Sequence, residues 1–430
     1  MKEKLKKVLV IGGGGREHAI VWKLRQSKRV AQIYCTPGNA GIARDAITFE
    51  ASFGDNFAKL VQRALLLGID YTIVGPEAPL AEGIVDAFEA AGLKIFGPNR
   101  QAARLEASKS FAKEVMQAAR IPTAEAATFE DAREAIRFAK SLGAPLIVKA
   151  DGLAAGKGVV VARTMEEAIS AIRKNLEEHQ FGEASKRIVI EEYLEGEEAS
   201  ILAFTDGNVI LPMASAQDHK RLNDGDLGPN TGGMGAYSPA PIVTPELMDE
   251  VRETVFLPLM EELQRRGITY KGVIYAGLMI TEEGPRVLEF NCRFGDPETQ
   301  VILPRLKNDL LDLVEAVCEG TLCEHTLEWT DEVALCVVMA ARGYPEAPEK
   351  GAVITGLDEV MLDGQALVFH AGTAQRGRDI VVSGGRVLGV TVLASSLPRA
   401  MDAVYRQVER IHFDGAHFRR DIGRKALAHL

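Results

Sequence analysis

A chain of 430 residues with a net charge of −10 and ordinary apolar content is long for a single core. It is also too acidic for a general nucleic-acid binder, whose polyanionic partner demands a basic field. No stretch is apolar for long enough to cross a bilayer, and the apolar run that follows the basic start MKEKLKK is too short for a signal-peptide core.

The first hundred or so residues alternate strand and helix. VLVIG is followed by REHAIVWKLRQS with helical periodicity, then QIYCT, NFAKLVQRALLLG, YTIVGP, PLAEGIVDAFEAAG and KIFGP. Short apolar strands ending in Gly or Pro between helical segments predict a doubly wound parallel sheet. Ligands on such sheets sit beyond the carboxyl ends of the strands, where GGGGREH, CTPGNAG and VGPEAP fall. A helix over 101–119 leads into a second unit. Here PLIVKA and GVVVA flank a glycine-rich loop, RIVIEEYL and EEASILAFTDG follow, and a polar stretch DHKRLNDGDLGPNTGGMGAYSP precedes a long amphipathic helix over 245–266. GVIYAGLMIT and PRVLEFN, joined by EEG, complete an antiparallel α+β pattern, with Leu288 and Phe290 expected to enter its core. From about Glu332 short β segments, ALCVVMAA, ALVFHAGT, DIVVS and VLGVTVLA, are closed by the helix SLPRAMDAVYRQVERI. The expected units are 1–105 (α/β), 106–325 (α+β, with a lid over about 124–195) and 326–430 (small and β-rich).

Cys35, Cys292, Cys318, Cys323 and Cys336 make no CxxC pair, and no HExxH occurs, so reduced structural thiols and a cytoplasmic protein are expected. The N-terminal glycines do not match a dinucleotide fingerprint: the third position is Glu17 or His18, and the second strand ends without an acid for a ribose. What they leave is a tight turn before a helix N-terminus, with Arg16 alongside, suited to a small phosphate ester. DGLAAGKGVVVA is not a Walker loop either, because Gly152 and Gly156 are one residue too close, Gly158 replaces the hydroxyl, and a strand follows where a helix belongs. Lys149, at the end of an apolar strand just before that loop, calls for an anion. In VLEFN, Glu289 and Asn291 share one strand face, and two oxygen ligands at that spacing suit Mg²⁺ held jointly by nucleotide phosphates. Arg293 follows on that face if the strand continues. IVIEEYLEGEEAS offers main-chain groups to a base edge and an acid to ribose hydroxyls. Taken singly, each is also what a close-packed turn, a snorkelling lysine or a solvated strand face looks like.

In order, Lys109, Lys149, the glycine-rich hairpin, EEYL and ExN resemble an ATP-grasp enzyme. GGGGREHA, CTPGNAG, VGPEAPL, DHKR with GPNTGGMGAYSP, and above all RFGDPETQ over 293–300, resemble the phosphoribosylamine-glycine ligase family across essentially the whole chain. That resemblance implies glycine and 5-phosphoribosylamine as substrates, ATP as co-substrate, Mg²⁺ or Mn²⁺ as the metal, and a glycyl phosphate intermediate on the way to glycinamide ribonucleotide. It further implies that Glu289 and Asn291 bind the metal and that Lys109, Lys149 and the lid residues Gly152, Gly156, Lys157 and Gly158 meet ATP phosphates. Glu191, Glu192 and Leu194 would line the adenine site, with Glu198 a ribose ligand; Arg293 would steady the acyl phosphate, and Asp296 would orient the amine. The phosphoribosyl end would rest on Gly13, Gly14, Gly15 and Arg16, with Glu77 a candidate for its hydroxyls. One departure from the pattern is that GVIYAGLMIT lacks the extra metal carboxylate of many ATP-grasp enzymes, with Glu298 or a water as replacement. The competing readings are a sister ligase with another acid or amine, a nucleotide-holding regulator, and an NAD enzyme.

Overall fold

The computed structural model describes residues 4–51, 53–153 and 158–430. Strands Ile47–Thr48, Val30–Pro37, Lys6–Gly12, Tyr71–Val74 and Ile95–Phe96 form a wholly parallel sheet in that spatial order. Val8, Leu9, Val10 and Ile11 are all fully buried, as expected of a central strand covered on both faces. The chain reverses its direction of winding between Lys6–Gly12 and Tyr71–Val74, so a crevice opens where residues 13–15 and 75–77 leave the sheet.

The doubly wound sheet is therefore as the alternation predicts, but two helices are cut short. Gly83, at φ +93°, divides the expected helix over 79–92 into Glu77–Glu82 and Ile84–Ala90; a Cβ there would sit 2.8 Å from Arg100 Nε. The expected helix over 101–119 breaks at extended Ser108, whose hydroxyl caps Lys109–Ala118 by accepting from Phe111 N–H at 3.2 Å.

The central unit contains two antiparallel sheets of four strands. Ala126–Phe129, Ile188–Glu192, Leu146–Ala150 and Val159–Ala162 make the first, with helices Ala132–Leu142 and Met165–Leu176 sharing a separate core with Val148, Ile188 and Ile190. Ile210–Pro212, Glu197–Thr205, Gly272–Thr281 and Gly284–Asn291 make the second. The helical stretch over 245–265 carries a π-helical turn at Arg252–Phe256 between Pro245–Val251 and Leu257–Arg265.

The last sheet runs Gln217–Asp218, Gly235–Ser238, Val333–Ala340, Arg386–Ala394, Leu367–His370, with helix Leu397–Val408 packed on it. Its first two strands come from the polar glycine-rich stretch, where fully buried Ala236 and Tyr237 pair with Cys336 and Leu335. No helix among the described residues is long and apolar enough to cross a membrane.

Candidate active site

Strand Gly284–Asn291 carries the ExN pair and a β-bulge. Gly277 lies opposite Glu289 and Leu278 opposite Val287, so Leu288 has no partner in the ladder. Strict alternation would send Leu288 into the core, but the bulge hands that place to Val287, which is fully buried, and leaves the Leu288 carbonyl to accept from Lys149 Nζ at 3.1 Å. Glu289 and Asn291 still project away from buried Phe290. Burial disfavours the Glu289 carboxylate, but Lys220, Lys149, Lys109 and Arg293 outweigh it and hold its pKa at about 2. A carboxylate and an amide oxygen form a hard-donor pair that fits Mg²⁺. The facing strand adds no acid, since Gly277 and Tyr275 stand opposite the pair. Among the described residues no cluster of three or more His, Cys, Asp or Glu forms a metal cage, so phosphate oxygens would have to complete the shell. Glu298, two per cent exposed, already receives the hydroxyls of Tyr275 at 2.6 Å and Ser200 at 3.0 Å on one oxygen.

Buried Lys149 also lies 2.8 Å from Glu191 Oε2. Lys109 donates to the Gly152 carbonyl at 3.2 Å, and burial lowers its pKa. At the far side of the loop the Gly158 carbonyl accepts from Ala150 N–H at 2.8 Å. Gly156 and Lys157 lie outside the described residues. The Glu192 carboxylate accepts from Glu125 N–H at 2.9 Å, Leu194 is half-buried just past the strand, and exposed Glu198 pairs with Lys220 at 2.8 Å. Among the described residues, Lys149 thus links Glu191 of the first central sheet to the Glu289 strand of the second, and Lys109 and Lys220, the partner of Glu198, add their charge at Glu289, whereas Glu192 is turned to its own sheet.

Arg293 is the hub of the site. The strand ends at Asn291, yet Arg293 Nη2 still reaches Asn291 Oδ1 at 3.2 Å and Glu106 Oε1 at 2.8 Å, while Nε meets Glu77 Oε2 at 3.2 Å. Burial opposes charge on Glu77, but Arg293 and Arg16 hold it below the usual carboxylate range. Arg16 donates to the Phe294 carbonyl at 3.1 Å, which ties the first helix to the same loop.

A cleft of about 470 Å³ lies beyond, lined by Gly13, Gly14, Gly38, Asn39, Asp296 and Arg386 among others. Close approach requires glycine at position 13, where a Cβ would lie 2.4 Å from the Gly38 carbonyl oxygen, and one on Gly15 would press on the Gln300 side-chain amide at 2.6 Å. Gly14 N–H is not an open donor, because Glu17 Oε2 accepts it at 2.6 Å. Asp296 meets Arg386 at 3.2 Å and Gln300 at 2.7 Å; burial raises its pKa, but Arg386 and Arg16 bring it below its ordinary value. Sequence reasoning missed Glu106, Lys113, Lys220 and Arg386 as parts of the site. Lys113 follows Lys109 by one helical turn and Lys220 lies within DHKR, so both had a signal; Glu106 and Arg386 had none, because only tertiary packing brings them in.

Family models for phosphoribosylglycinamide synthetase match the N domain at residues 6–106, the ATP-grasp (A) domain at 107–299 and the C domain at 334–425. A phosphoribosylamine–glycine ligase from Ralstonia nicotianae is 52% identical over 424 residues, spanning 98% of this chain and 99% of that protein. One from Escherichia coli is 51% identical over 425 residues, with the same coverage of 98% and 99%. Among solved structures, the phosphoribosylamine–glycine ligase of Thermotoga maritima superposes with a TM-score of 0.83 at 34% identity, covering 97% of this chain and all of that one. A biotin carboxylase domain from Hydrogenobacter thermophilus in complex with MgADP, 18% identical with a TM-score of 0.74 over 96% of this chain and 92% of that one, shares the fold. With all three family models in chain order and half of all positions shared with relatives of equal length, the chain belongs to the phosphoribosylamine–glycine ligase family.

Proposed function

We propose that the protein joins glycine to 5-phosphoribosylamine at the expense of ATP, giving glycinamide ribonucleotide, ADP and phosphate in purine biosynthesis. The observation that carries this reading is the continuity of charge through Arg293, which touches Asn291 on the nucleotide side and Glu77 on the side of the parallel-sheet crevice. A phosphoryl group and an amine delivered from those two sides would meet beside one guanidinium.

In this reading a glycine carboxylate oxygen attacks the γ-phosphorus, the bond to ADP breaks, and glycyl phosphate forms. The amine nitrogen then attacks the acyl carbon, the carbon–oxygen bond breaks, phosphate leaves, and the amine gives up a proton. Lys109 and Lys149 bind the phosphates, Gly152 to Gly158 and the lid over 124–195 exclude water, and Arg293 neutralises the acyl phosphate as charge develops. Glu191, Glu192 and Leu194 line the adenine site and Glu198 the ribose. Glu289 and Asn291 hold Mg²⁺ or Mn²⁺, which when bound draws charge from the phosphate oxygens. Gly13, Gly15 and Arg16 cradle the 5-phosphate, with Gly14 shaping the turn, Glu77 reaching the ribose hydroxyls and Asp296 orienting the amine. Five cysteines without a disulfide suit work in the reducing cytoplasm.

The test is ADP release from ATP with glycine and freshly made 5-phosphoribosylamine. Release that requires both substrates is expected. Rapid release with an unrelated acid and amine, and none with this pair, overturns the assignment.

A further inference from the structure

Lys113, on helix Lys109–Ala118, is four per cent exposed and bound on every side. Its Nζ donates to Thr123 Oγ1 at 2.8 Å and to the Ala124 carbonyl at 3.3 Å, and lies 3.3 Å from Glu191 Oε1. The Thr123 hydroxyl donates onward to the Val287 carbonyl at 2.6 Å, so this ammonium sits where the chain enters the first central sheet and leans on the strand of Glu289. The other oxygen of Glu191 lies 2.8 Å from Lys149. Glu191, two per cent exposed, is therefore a buried carboxylate with a different lysine on each oxygen.

The two lysines are not equivalent. An ammonium has three protons to place. Lys113 has three oxygen neighbours, hydrogen-bonding Thr123 and Ala124 and pairing with Glu191, whereas Lys149 has two among the described residues, a hydrogen bond to the Leu288 carbonyl and the ion pair with Glu191. Lys149 also adds its charge at Glu289 and is the penultimate residue of the strand Leu146–Ala150 that leads into the glycine-rich loop.

We propose that Lys113 is a positioning residue: the standing counter-ion of Glu191, which frees Lys149 to move from that carboxylate to a nucleotide phosphate without stranding a buried charge. This rests on the reading that Lys149 meets ATP. A buried acid stripped of its partner is costly. With Lys113 present, Glu191 keeps a cation when Lys149 turns away. With Lys113 removed, Lys149 and Glu191 form a closed neutral pair, and each incoming phosphate has to compete with Glu191 for the lysine. The balance, two cations to one anion, is what the site preserves.

The experiment measures MgATP affinity of the full-length protein by isothermal titration calorimetry, with circular dichroism to check folding. Lys113→Met, close in size to the parent side chain, is expected to weaken MgATP by about tenfold or more, whereas Lys113→Arg, which returns a cation, is expected to stay within about fivefold of the parent. A role in packing alone gives the opposite order, with the size-matched Met tolerated and the larger Arg not, and that result overturns the proposal. Should Lys113→Met not fold, Lys113→Arg decides by itself, since a loss beyond about fivefold in that folded variant removes the counter-ion role. Lys149→Met separates the two readings: unchanged MgATP affinity there removes the phosphate role of Lys149, whereas a fall there with Lys113→Met at parental affinity removes only the role of Lys113.

Discussion

Arg293 Nη2 and Glu106 Oε1 meet at 2.8 Å, and the second oxygen of Glu106 accepts the Cys292 N–H, also at 2.8 Å. One carboxylate thus fixes both the guanidinium and the backbone that carries it. Glu106→Gln keeps the shape but weakens the hold, and kcat is expected to fall on the order of 10²-fold while the KM for ATP changes little. Steady-state kinetics check this; an equal effect on both constants points to general damage. Glu106→Ala leaves the buried Arg293 short of a partner and is expected to cost about 3 kcal/mol or more in chemical denaturation.

Glu289→Ala is expected to abolish turnover, on the order of 10³-fold or more, with the far-ultraviolet spectrum unchanged. The four cations that surround Glu289 would then repel one another, so the thermal midpoint falls without loss of the fold. Ordinary activity of this variant at ordinary Mg²⁺ ends the metal role.

Gly13→Ala drives a methyl group toward the Gly38 carbonyl, 2.4 Å from the ideal Cβ position, and the atoms it meets are main chain. An overpacking cost of about 1–3 kcal/mol is expected. Because Gly13 lines the cleft shared with Asp296, the KM for 5-phosphoribosylamine is expected to rise roughly tenfold, with the ATP constant within about twofold of the parent. A variant that alters only the ATP constant shows that the cleft serves another purpose.

The His370 side chain is buried, the residue being one per cent exposed, and its main-chain N–H donates to His18 Nδ1 at 2.7 Å. Burial, with His18 and Arg44 nearby, lowers its pKa to about 3. The unfolded chain therefore takes up the proton first, near pH 6.5, and stability falls as pH drops below that value until the folded group titrates. Between pH 6.5 and 5 the expected slope is up to about 1.4 kcal/mol per pH unit from this histidine, and His370→Gln should flatten it. Urea denaturation at several pH values measures it; an unchanged slope rejects the assignment to His370.

Much of this architecture was legible in the sequence because local patterning governs it. The run Val8 to Ile11 could only be a central strand, and the alternation of Glu289, Phe290 and Asn291 placed acid and amide on one face. Period-two reasoning failed at Leu288 because a bulge adds a residue to one strand, and nothing in VLEFN marks it. It also failed for Gly235–Ser238, whose apolar content is too slight to read as a strand until Cys336 and Leu335 supply its partners. The cations around Glu289 come from distant segments, Lys109, Lys149, Lys220 and Arg293, and only the folded chain reveals that they share one carboxylate. Arg386 belongs to another sheet altogether and reaches Asp296 through tertiary packing.

The sharing of Gln217–Asp218 and Gly235–Ser238 with the last sheet has a practical corollary. His219 and Met234 zip the two ends of the intervening segment together, and Lys220 hangs from that seam. Cutting the polypeptide after its central third would strip Gly235–Ser238 of Val333–Ala340, leave a raw edge, and loosen the ammonium that faces Glu289. Catalytic competence in this protein is thus not a property of any severable module, and attempts to miniaturise it should spare the carboxyl-terminal sheet.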